Sequence, residues 1–307
     1  MVRPFGPKKL RLLVAVPLVS MIALAGCSSG NSAAPATKPA KSSAALFSQL
    51  PSSIQKASVI TVGSSVDYPP FEYYAADGKT LQGFEPELSA LLEKQLGVKF
   101  AWKNAGFDTL FTALRGGRYD IVYGAVNDTA EREQSFDFVD YLQSSQGFVT
   151  AKGNPKGIKT IDDLCGKTIA AVRGGIQAQY LDTQSKVCTD AGKAKINALT
   201  FEGNSGEQLA VKQGRAAAML ENYPTAAVFA KESKGALEIV PNLQVEKQHF
   251  GMVVNKKNAD LRDVLQKAWQ KVMDDGSYVA VLKKYDLADI AIDKAIVNAA
   301  ASDAAAK

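Results

Sequence analysis

Two runs of alternating strand and helix patterns constrain the fold of this chain more than any other feature. The first run starts at Val59 with the buried-strand pattern VITVG, and the helix pattern EPELSALLEKQLG follows, with its leucines on one face and Gly97 as its stop signal. The run continues as strand, helix and strand in VKFAW, FDTLFTALRGG and YDIVYGAV. A β-α-β-α-β order predicts parallel strands that place a ligand at their carboxyl ends.

The second run has the same alternation. It reads as strand, helix, strand, helix, strand and helix in DDLCGKTIAAV, GIQAQYLDTQSK, KINALTF, SGEQLAVKQG, AAAML and PTAAVFAKES. Extended segments LEIV and FGMVVNK follow, and then the amphipathic helices DLRDVLQKAWQKVMDDG and SYVAVLKKY. Two α/β units with a late return segment predict two lobes and a cleft, and the small-residue tail after Ile296 is expected to fray.

The first 26 residues are predicted to be a secretory signal. Four basic residues precede thirteen uncharged, mostly apolar residues from Leu12 to Leu24, and small residues come next. This layout is typical of a cleaved signal, whereas a membrane span needs about twenty apolar residues. The basic residues are Arg3, Lys8, Lys9 and Arg11.

The signal ends in LAGC, which resembles the bacterial lipobox, so Cys27 is expected to be acylated and to become the first mature residue. The alternative is an ordinary signal peptide with an incidental cysteine. Acylation would hold the protein, extracytoplasmic, on the outer face of the cell membrane. Residues 27–53 are mostly Ser, Ala, Pro and Lys with few large apolar groups, and are predicted to be a flexible tether.

Charge and residue types exclude several functions. The formal net charge is +5, but the signal carries four basic groups and no acidic ones, so the mature chain is nearly neutral and nothing suggests nucleic acid. His249 is the only histidine, and no cysteines are closely spaced, so neither a metal nor another cofactor is expected. Cys165 and Cys188, the two remaining cysteines, are predicted to form a disulfide in an oxidising compartment.

Seven stretches in a fixed order carry a family resemblance. They are VDYPPFEY, DGKTLQGFEPEL, FDTLFTALRGGRYDIV, NDTAEREQSFDFVDYL, KTIDDLCGKTIAAVRGG, VKQGRAAAMLENYPTAA and DDGSYVAVLKKYDL. Together they resemble the polar-amino-acid class of bacterial solute-binding proteins that feed ABC importers (family 3). The resemblance implies an α/β, two-lobed, periplasmic-binding-protein-like fold of type II, in which each lobe is a sheet flanked by helices and the ligand cleft lies between them. The first lobe would comprise 54–146 plus 250–307, and the second 147–249.

The resemblance also implies that Arg132 forms a two-pronged salt bridge with the α-carboxylate of the ligand, for which a planar guanidinium is suited. Ala125 would contribute backbone, and Asn127 stands where the family usually has Thr or Ser. Without the resemblance, the simplest interpretation is that Arg132 pairs with Glu131 or Glu133 on a solvated helix.

Tyr68 and Phe107 match the two aromatic residues that sandwich the ligand in the family. The alternative is that they belong to the core, since Phe107 also fits the inward stripe of its predicted helix with Leu110, Phe111 and Leu114. Phe71 is expected to serve packing.

The second lobe is expected to bind the ligand through the turn at Gly174 and Gly175, where bare backbone at a helix start can approach a carboxylate. The family usually has a Thr close by. Here Gly175 and Ile176 stand at those positions, so only the amides and Gln177 remain as donors.

The largest departure from the family is at LENYP. Asn222 stands where the family commonly has an aspartate that pairs with the α-ammonium of the ligand, which leaves amine selectivity open. Glu221 is adjacent, but neighbouring strand residues point to opposite faces, so it is not expected to compensate. Ser65 replaces an acid that binders of basic amino acids often carry, which argues mildly against lysine or arginine as ligand.

The expected function is reversible capture of an amino acid or analogue, without catalysis, by a monomer that delivers it to the permease subunits of an ABC importer. One alternative is a lyase similar to the cyclohexadienyl dehydratases, for which Glu221 is the candidate general acid or base. The other is a signalling module that senses a ligand for a membrane partner.

Overall fold

The computed structural model describes residues 43–301, apart from the side chain of Glu246. The predicted signal sequence (residues 1–26) and Cys27 lie outside the described residues. The fold is α/β. Its strands are β1 (Val59–Ser64), β2 (Asp67–Tyr68), β3 (Glu72–Tyr74), β4 (Leu81–Gln82), β5 (Lys99–Asn104), β6 (Ile121–Val122), β7 (Phe136–Ala151), β8 (Thr168–Val172), β9 (Asn197–Phe201), β10 (Ala218–Asn222), β11 (Leu237–Asn255) and β12 (Ala291–Val297). Its α-helices are α1 (Ser52–Ala57), α2 (Phe84–Leu96), α3 (Phe107–Arg115), α4 (Ala130–Glu133), α5 (Ile176–Asp190), α6 (Asn204–Lys212), α7 (Tyr223–Glu232), α8 (Ala259–Asp274) and α9 (Ser277–Lys284).

One nine-stranded sheet runs through the described residues in the order β5-β1-β6-β11-β7-β10-β8-β9, with β12 beside β7. At one end β5, β1 and β6 are parallel, and at the other β10, β8 and β9 are parallel. The two parallel groups predicted from the sequence are therefore confirmed. The long antiparallel strands β7 and β11 join them into a single sheet. A separate antiparallel sheet contains β2, β3 and β4.

The hydrophobic core is divided in the same way as the chain. Two clusters of buried side chains draw only on residues before 143 and after 249. Two further clusters, together with the partly buried side chains that pack against them, contain only residues between 148 and 245. Each parallel group of strands thus has apolar packing of its own on both faces, which fixes the strand ends that carry the site.

The helices predicted from apolar periodicity are confirmed. In α2, Leu88, Leu92 and Leu96 are buried, and Gly97 ends the helix in the left-handed conformation at φ 70°. In α3, Leu110 and Leu114 are buried, whereas both phenylalanines of its predicted stripe are half-buried.

The extended segments LEIV and FGMVVNK belong to one strand, β11. The residues between them are mostly polar, with Leu243 and Val245 as the exceptions, and they pair with β7 across irregularities between Ile239 and Gln244, Val245 and Gln248, and Phe250 and Gly251. Backbone pairing with a long neighbour thus keeps extended a segment whose side chains give only a short apolar alternation.

Part of the segment predicted to be a tether is folded. Leu46, Phe47 and Leu50 are buried in the main hydrophobic cluster, and the backbone of Leu46 donates to Gln95 O. These are the few large apolar residues in that segment, and burying them against α2 offsets the entropy of ordering the chain.

The prediction of a frayed tail after Ile296 is wrong for residues 298–301. The backbone amide of Ala299 donates to Asp140 Oδ2 at 3.1 Å, that of Ala300 to Asp128 Oδ2 at 3.1 Å, and that of Ala301 to Glu133 Oε1 at 3.0 Å. Three successive amides therefore meet three carboxyl groups, an interaction that the small side chains of this segment could not reveal.

The predicted disulfide between Cys165 and Cys188 is present, with the two Cα atoms 5.6 Å apart. It fastens α5 to the turn that precedes β8. Within residues 43–301, no helix is both long and apolar enough to cross a membrane.

Candidate functional site

A cavity that is partly open to solvent lies where the parallel strands of both groups end. Ser65 follows β1, Gly124 follows β6, Val172 ends β8, Asn204 follows β9 and Asn222 ends β10, and all five line the cavity. The cavity therefore lies where the sequence predicts a ligand site, at the carboxyl ends of the strands.

Eight of the ten residues predicted to contact a ligand line this cavity: Tyr68, Phe107, Ala125, Asn127, Gly175, Ile176, Gln177 and Asn222. The other two are Arg132 and Gly174, which lie at its edge. Arg132 donates to Asn127 O and to Gly174 O, and Gly174 directly precedes Gly175, so each lies next to a residue that lines the cavity.

Arg132 is held by backbone and by aromatic rings. Its Nη1 donates to Asn127 O at 2.8 Å, and its guanidinium carbon lies 4.8 Å from the ring centre of Phe111 and 5.6 Å from that of Phe107. Glu133, one of the two partners expected on a solvated helix, accepts instead from the backbone of Ala301. Burial lowers the pKa of Arg132 to about 10, so the guanidinium remains charged at neutral pH.

The turn before Arg132 is shaped by its backbone. Gly124 adopts φ 138°, and a Cβ atom there would lie 2.5 Å from both Glu72 Oε1 and Ser64 Oγ. Only glycine therefore lets the Glu72 carboxyl approach the turn. Thr129 is the N-cap of α4, and its side chain accepts from the backbone amide of Arg132 at 3.2 Å.

The Gly174–Gly175 turn leads directly into α5. Gly174 is in the left-handed conformation at φ 76°, and Gly175 precedes the helix with no side-chain hydrogen bond from the described residues to cap it. The Gln177 side chain donates to Gln146 Oε1 at 2.7 Å and to Asn222 Oδ1 at 3.4 Å. The uncapped amides of α5 thus supply the positive end of a helix dipole beside Arg132.

Tyr68 and Phe107 face the cavity from different elements. Tyr68 is buried, and its hydroxyl donates to Glu221 Oε2 at 2.7 Å and accepts from the Asn222 amide at 3.2 Å. Phe107 begins α3 and is half-buried. Both rings line the cavity, so neither is confined to the core.

The expectation that Glu221 points away from the side occupied by Asn222 is wrong, since both line the cavity. The alternation of a strand applies to its interior. Strand β10 ends at Asn222, which also occupies the N-cap position of α7, so strand alternation stops at this point and both residues can line the same cavity.

Two pairs of buried carboxyl groups flank the cavity, and each has one member in its lining. Burial raises the pKa of Glu221, and burial followed by the charge of Glu221 raises the pKa of Glu207 well above its ordinary value. Burial followed by the charge of Glu85 likewise raises the pKa of Glu72 well above its ordinary value, while burial raises that of Glu85 to about 7. In each pair the two carboxyl groups are buried close to each other, so they are not ionised together readily.

Sequence reasoning did not assign seven residues of the lining. Asp67 and Glu72 lie within four residues of Tyr68 in the sequence, and this closeness is a signal that they could line the same cavity. Ser65 and Glu221 were not expected to bind the ligand, because the pattern of neighbouring residues did not indicate it. The seven are Ser65, Asp67, Glu72, Gly124, Val172, Asn204 and Glu221.

Comparison with known proteins gives consistent matches. The model of the bacterial extracellular solute-binding proteins, family 3, matches residues 60–288. The L-cystine-binding protein TcyA of Bacillus subtilis (strain 168) is 30% identical over 278 residues, which is 90% of this chain and 97% of TcyA.

Two solved structures have similar folds. An ancestral arginine-binding protein bound to arginine is 29% identical, with a TM-score of 0.68 over 74% of this chain and 98% of its own. The ancestral amino acid-binding protein AncCDT-1, described as a precursor of cyclohexadienyl dehydratase, is 28% identical, with a TM-score of 0.68 over 76% of this chain and 97% of its own.

Proposed function

Because the chain belongs to the bacterial extracellular solute-binding proteins, family 3, we propose that it captures an amino acid or a similar small molecule by its carboxylate and delivers it to the permease of an ABC importer. The proposed lobes are 54–146 plus 250–307 and 147–249. The protein acts as a monomer and uses no cofactor. The names of the similar proteins, which bind cystine and arginine, support an amino acid as the class of ligand.

The observation that carries the proposal is the position of Arg132. Its guanidinium is fixed by Asn127 O and by two aromatic rings, and it reaches Gly174 O at the start of α5. A carboxylate at this point would meet a planar cation and the uncapped amides of a helix together, both of which favour a negative group. The 3.3 Å bond to Gly174 O is the longer of the two and is the one that a ligand carboxylate would replace.

The remainder of the solute lies between Tyr68 and Phe107. Aromatic rings on opposite elements cover an aliphatic or planar group without demanding a particular hydrogen bond. Polar contacts come from Asn127 and Gln177, which are buried and line the same cavity.

A thermal-shift screen of the purified full-length chain against L-amino acids, L-cystine, opines, betaines and dicarboxylates tests the proposal. A ligand at 100 times its dissociation constant should stabilise the protein by about 2.7 kcal/mol. Arg132→Ala should weaken the best binder by at least about a hundredfold, since two charge-assisted bonds are lost. Arg118→Ala, which removes an exposed arginine, is the control and should bind as the parent does. Equal affinity in the Arg132 variant would contradict the carboxylate assignment.

Attachment to the membrane is a separate part of the proposal. Acylated Cys27 anchors the protein to the outer face of the cell membrane, supported by the lipobox-like LAGC motif and by a family of extracellular proteins. Cys27→Ser should move the protein from the membrane fraction to the soluble fraction, and retention of this variant in the membrane fraction would exclude the anchor.

The alternative is a cleft enzyme related to cyclohexadienyl dehydratase. It is favoured by one observation, that Glu221 is buried in the cavity with a raised pKa, as a general acid requires. Turnover of prephenate or arogenate that is abolished in Glu221→Gln would support the enzyme. One-to-one binding of amino acids without product would support the receptor.

A further inference from the structure

The turn that carries Arg132 is joined to a segment far along the chain. Asp128 Oδ2 accepts from the Ala300 amide at 3.1 Å, across a sequence separation of 172 residues. Glu133 Oε1 accepts from the Ala301 amide at 3.0 Å, across a separation of 168 residues. Asp128 lies four residues before Arg132, and Glu133 directly follows it. The two bonds therefore hold the turn on both sides of Arg132.

The segment that supplies these amides, residues 298–301, is itself fixed to the long strand β7. Asn298 Oδ1 accepts from the Phe138 amide at 2.8 Å, and the Asn298 amide donates to Phe138 O at 3.2 Å. The Ala299 amide donates to Asp140 Oδ2 at 3.1 Å, and Ala299 is buried. The last two amides of the segment are therefore offered to the turn from a backbone that the central sheet holds in place.

The acids that meet this segment depend on it, because they are buried. Three successive amides contact the carboxyl groups of Asp128, Glu133 and Asp140, so these groups lie close together. Burial, and then the charge of Asp140, raise the pKa of Asp128 to about 9. If residues 298–301 were removed, the acids would lose their amide donors, become accessible to water, ionise and repel one another. The turn would then move away from β7.

The position of the turn decides the position of the guanidinium. Arg132 Nη1 donates to Asn127 O at 2.8 Å, and Asn127 directly precedes Asp128. A shift at Asp128 therefore moves the carbonyl that holds the guanidinium. A two-pronged bond between a guanidinium and a carboxylate has a strict geometry, so a small displacement weakens it.

We propose that residues 298–301 hold Arg132 in the position at which it binds the carboxylate of the solute, and that Asp128 and Glu133 are positioning residues that transmit this effect. The inference rests on the proposed function, in which Arg132 binds that carboxylate. None of the described residues that line the cavity belongs to this segment. Solute affinity should therefore depend on a part of the chain that does not line the cavity.

Two truncated chains test the inference by calorimetric titration. One ends at Val297 and lacks the segment, and the matched control ends at Ala304 and keeps it. The probes are L-arginine, L-cystine and L-glutamine, the amino acids named for the similar proteins. The chain that ends at Val297 should bind them at least about tenfold more weakly, and the control should bind as the full-length chain does. Equal affinity in the two truncated chains would overturn the inference.

Point variants keep the inference testable if the chain that ends at Val297 does not fold. Asp128→Ala and Glu133→Ala each remove one acceptor and should weaken binding about three- to tenfold. Asp128→Asn and Glu133→Gln keep an oxygen that can accept from the same amide, so they should restore most of this affinity. Thermal melting without ligand checks that the variants fold. Folded alanine variants that bind as the parent does, or conservative variants that bind no better than the alanine variants, would contradict the inference.

A double-mutant cycle shows whether the segment acts through Arg132. Asp128→Ala should cause little further loss of affinity in the Arg132→Ala background, because no guanidinium remains to be positioned. Losses that add in full would show that Asp128 acts on binding by another route, and would overturn the inference.

The outcomes also separate this inference from the proposed function. A large loss in Arg132→Ala together with full affinity in the chain that ends at Val297 would leave carboxylate capture standing and overturn only the positioning role. Unchanged affinity in Arg132→Ala, or failure of every probe to bind the full-length chain, would overturn both.

Discussion

Gly124 combines a positive φ with close contact to a buried carboxyl group of the cavity lining. Gly124→Ala would place a side chain at φ 138° and bring its Cβ within 2.5 Å of the buried Glu72 carboxyl. Backbone strain and displacement of a buried acid should together lower the free energy of unfolding by about 2–4 kcal/mol. Urea unfolding of the ligand-free protein measures this loss.

Gly78→Ala is the matched control. Gly78 also has a positive φ, 65°, but no atom lies within 4 Å of the position of its Cβ. This substitution should therefore lower the free energy of unfolding only by the cost of a positive φ at alanine, about 1 kcal/mol. Similar losses in the two variants would show that Glu72 does not constrain Gly124.

Some residues of the cavity could be predicted from the sequence alone. Tyr68, Phe107 and Asn127 were expected at the cavity from motif resemblance, and they line it. Glu221 was not predicted, because strand alternation places it on the face opposite Asn222. Glu221 and Asn222 are the last two residues of β10, where the alternation no longer holds. The position of Arg132 against two backbone carbonyls could not be derived from its neighbours in the sequence.

At the level of secondary structure, helix α5 is linked by a disulfide to the turn before β8. The disulfide between Cys165 and Cys188 closes a loop with a sequence separation of 23 residues, which contains all of β8. In the chain-entropy model, a loop of this size should contribute about 3 kcal/mol to stability. The double variant Cys165→Ala, Cys188→Ala should therefore have a free energy of unfolding lower by this amount, measured by urea unfolding.

Unfolding of the parent protein in the presence of a thiol reductant is the companion measurement. It should reproduce the loss seen in the double variant, since both open the same loop. A loss well below 1 kcal/mol in both would mean that the unfolded chain is little restricted by the bond.

The elements that sequence patterns predicted are those with a strong apolar period. Helices α2 and α8 bury a continuous stripe, and the short parallel strands β8 and β10 have buried apolar residues at their centres. Strand β7 was not predicted, because buried polar residues such as Asp140 and Gln146 interrupt its pattern. These residues are accommodated by hydrogen bonds to distant segments, which no local window contains.

For the whole molecule, the buried acids predict an unusual response to pH. The pKa of Asp128 is raised to about 9 by burial and then by the charge of Asp140, and that of Glu85 is raised to about 7 by burial. An acid whose pKa is higher in the folded state stabilises the protein below its unfolded pKa, and this stability is lost as pH rises through the folded pKa. The ligand-free protein should therefore melt at progressively lower temperature between about pH 5 and pH 9.

Each such group changes the free energy of unfolding by up to about 1.4 kcal/mol per pH unit. Asp128→Asn should flatten the upper part of the melting curve against pH, because the asparagine does not titrate. A melting temperature that is constant or rises across this range would contradict the assignment.

The hydrogen bonds of the backbone amides of residues 299–301 affect where a label can be attached to this protein. Two of the acids that they meet, Asp128 and Glu133, belong to the turn that presents Arg132. A reporter dye or fused domain attached after Ala301 would therefore act on the turn that carries Arg132. That position is the one to choose for an optical sensor of the proposed ligand.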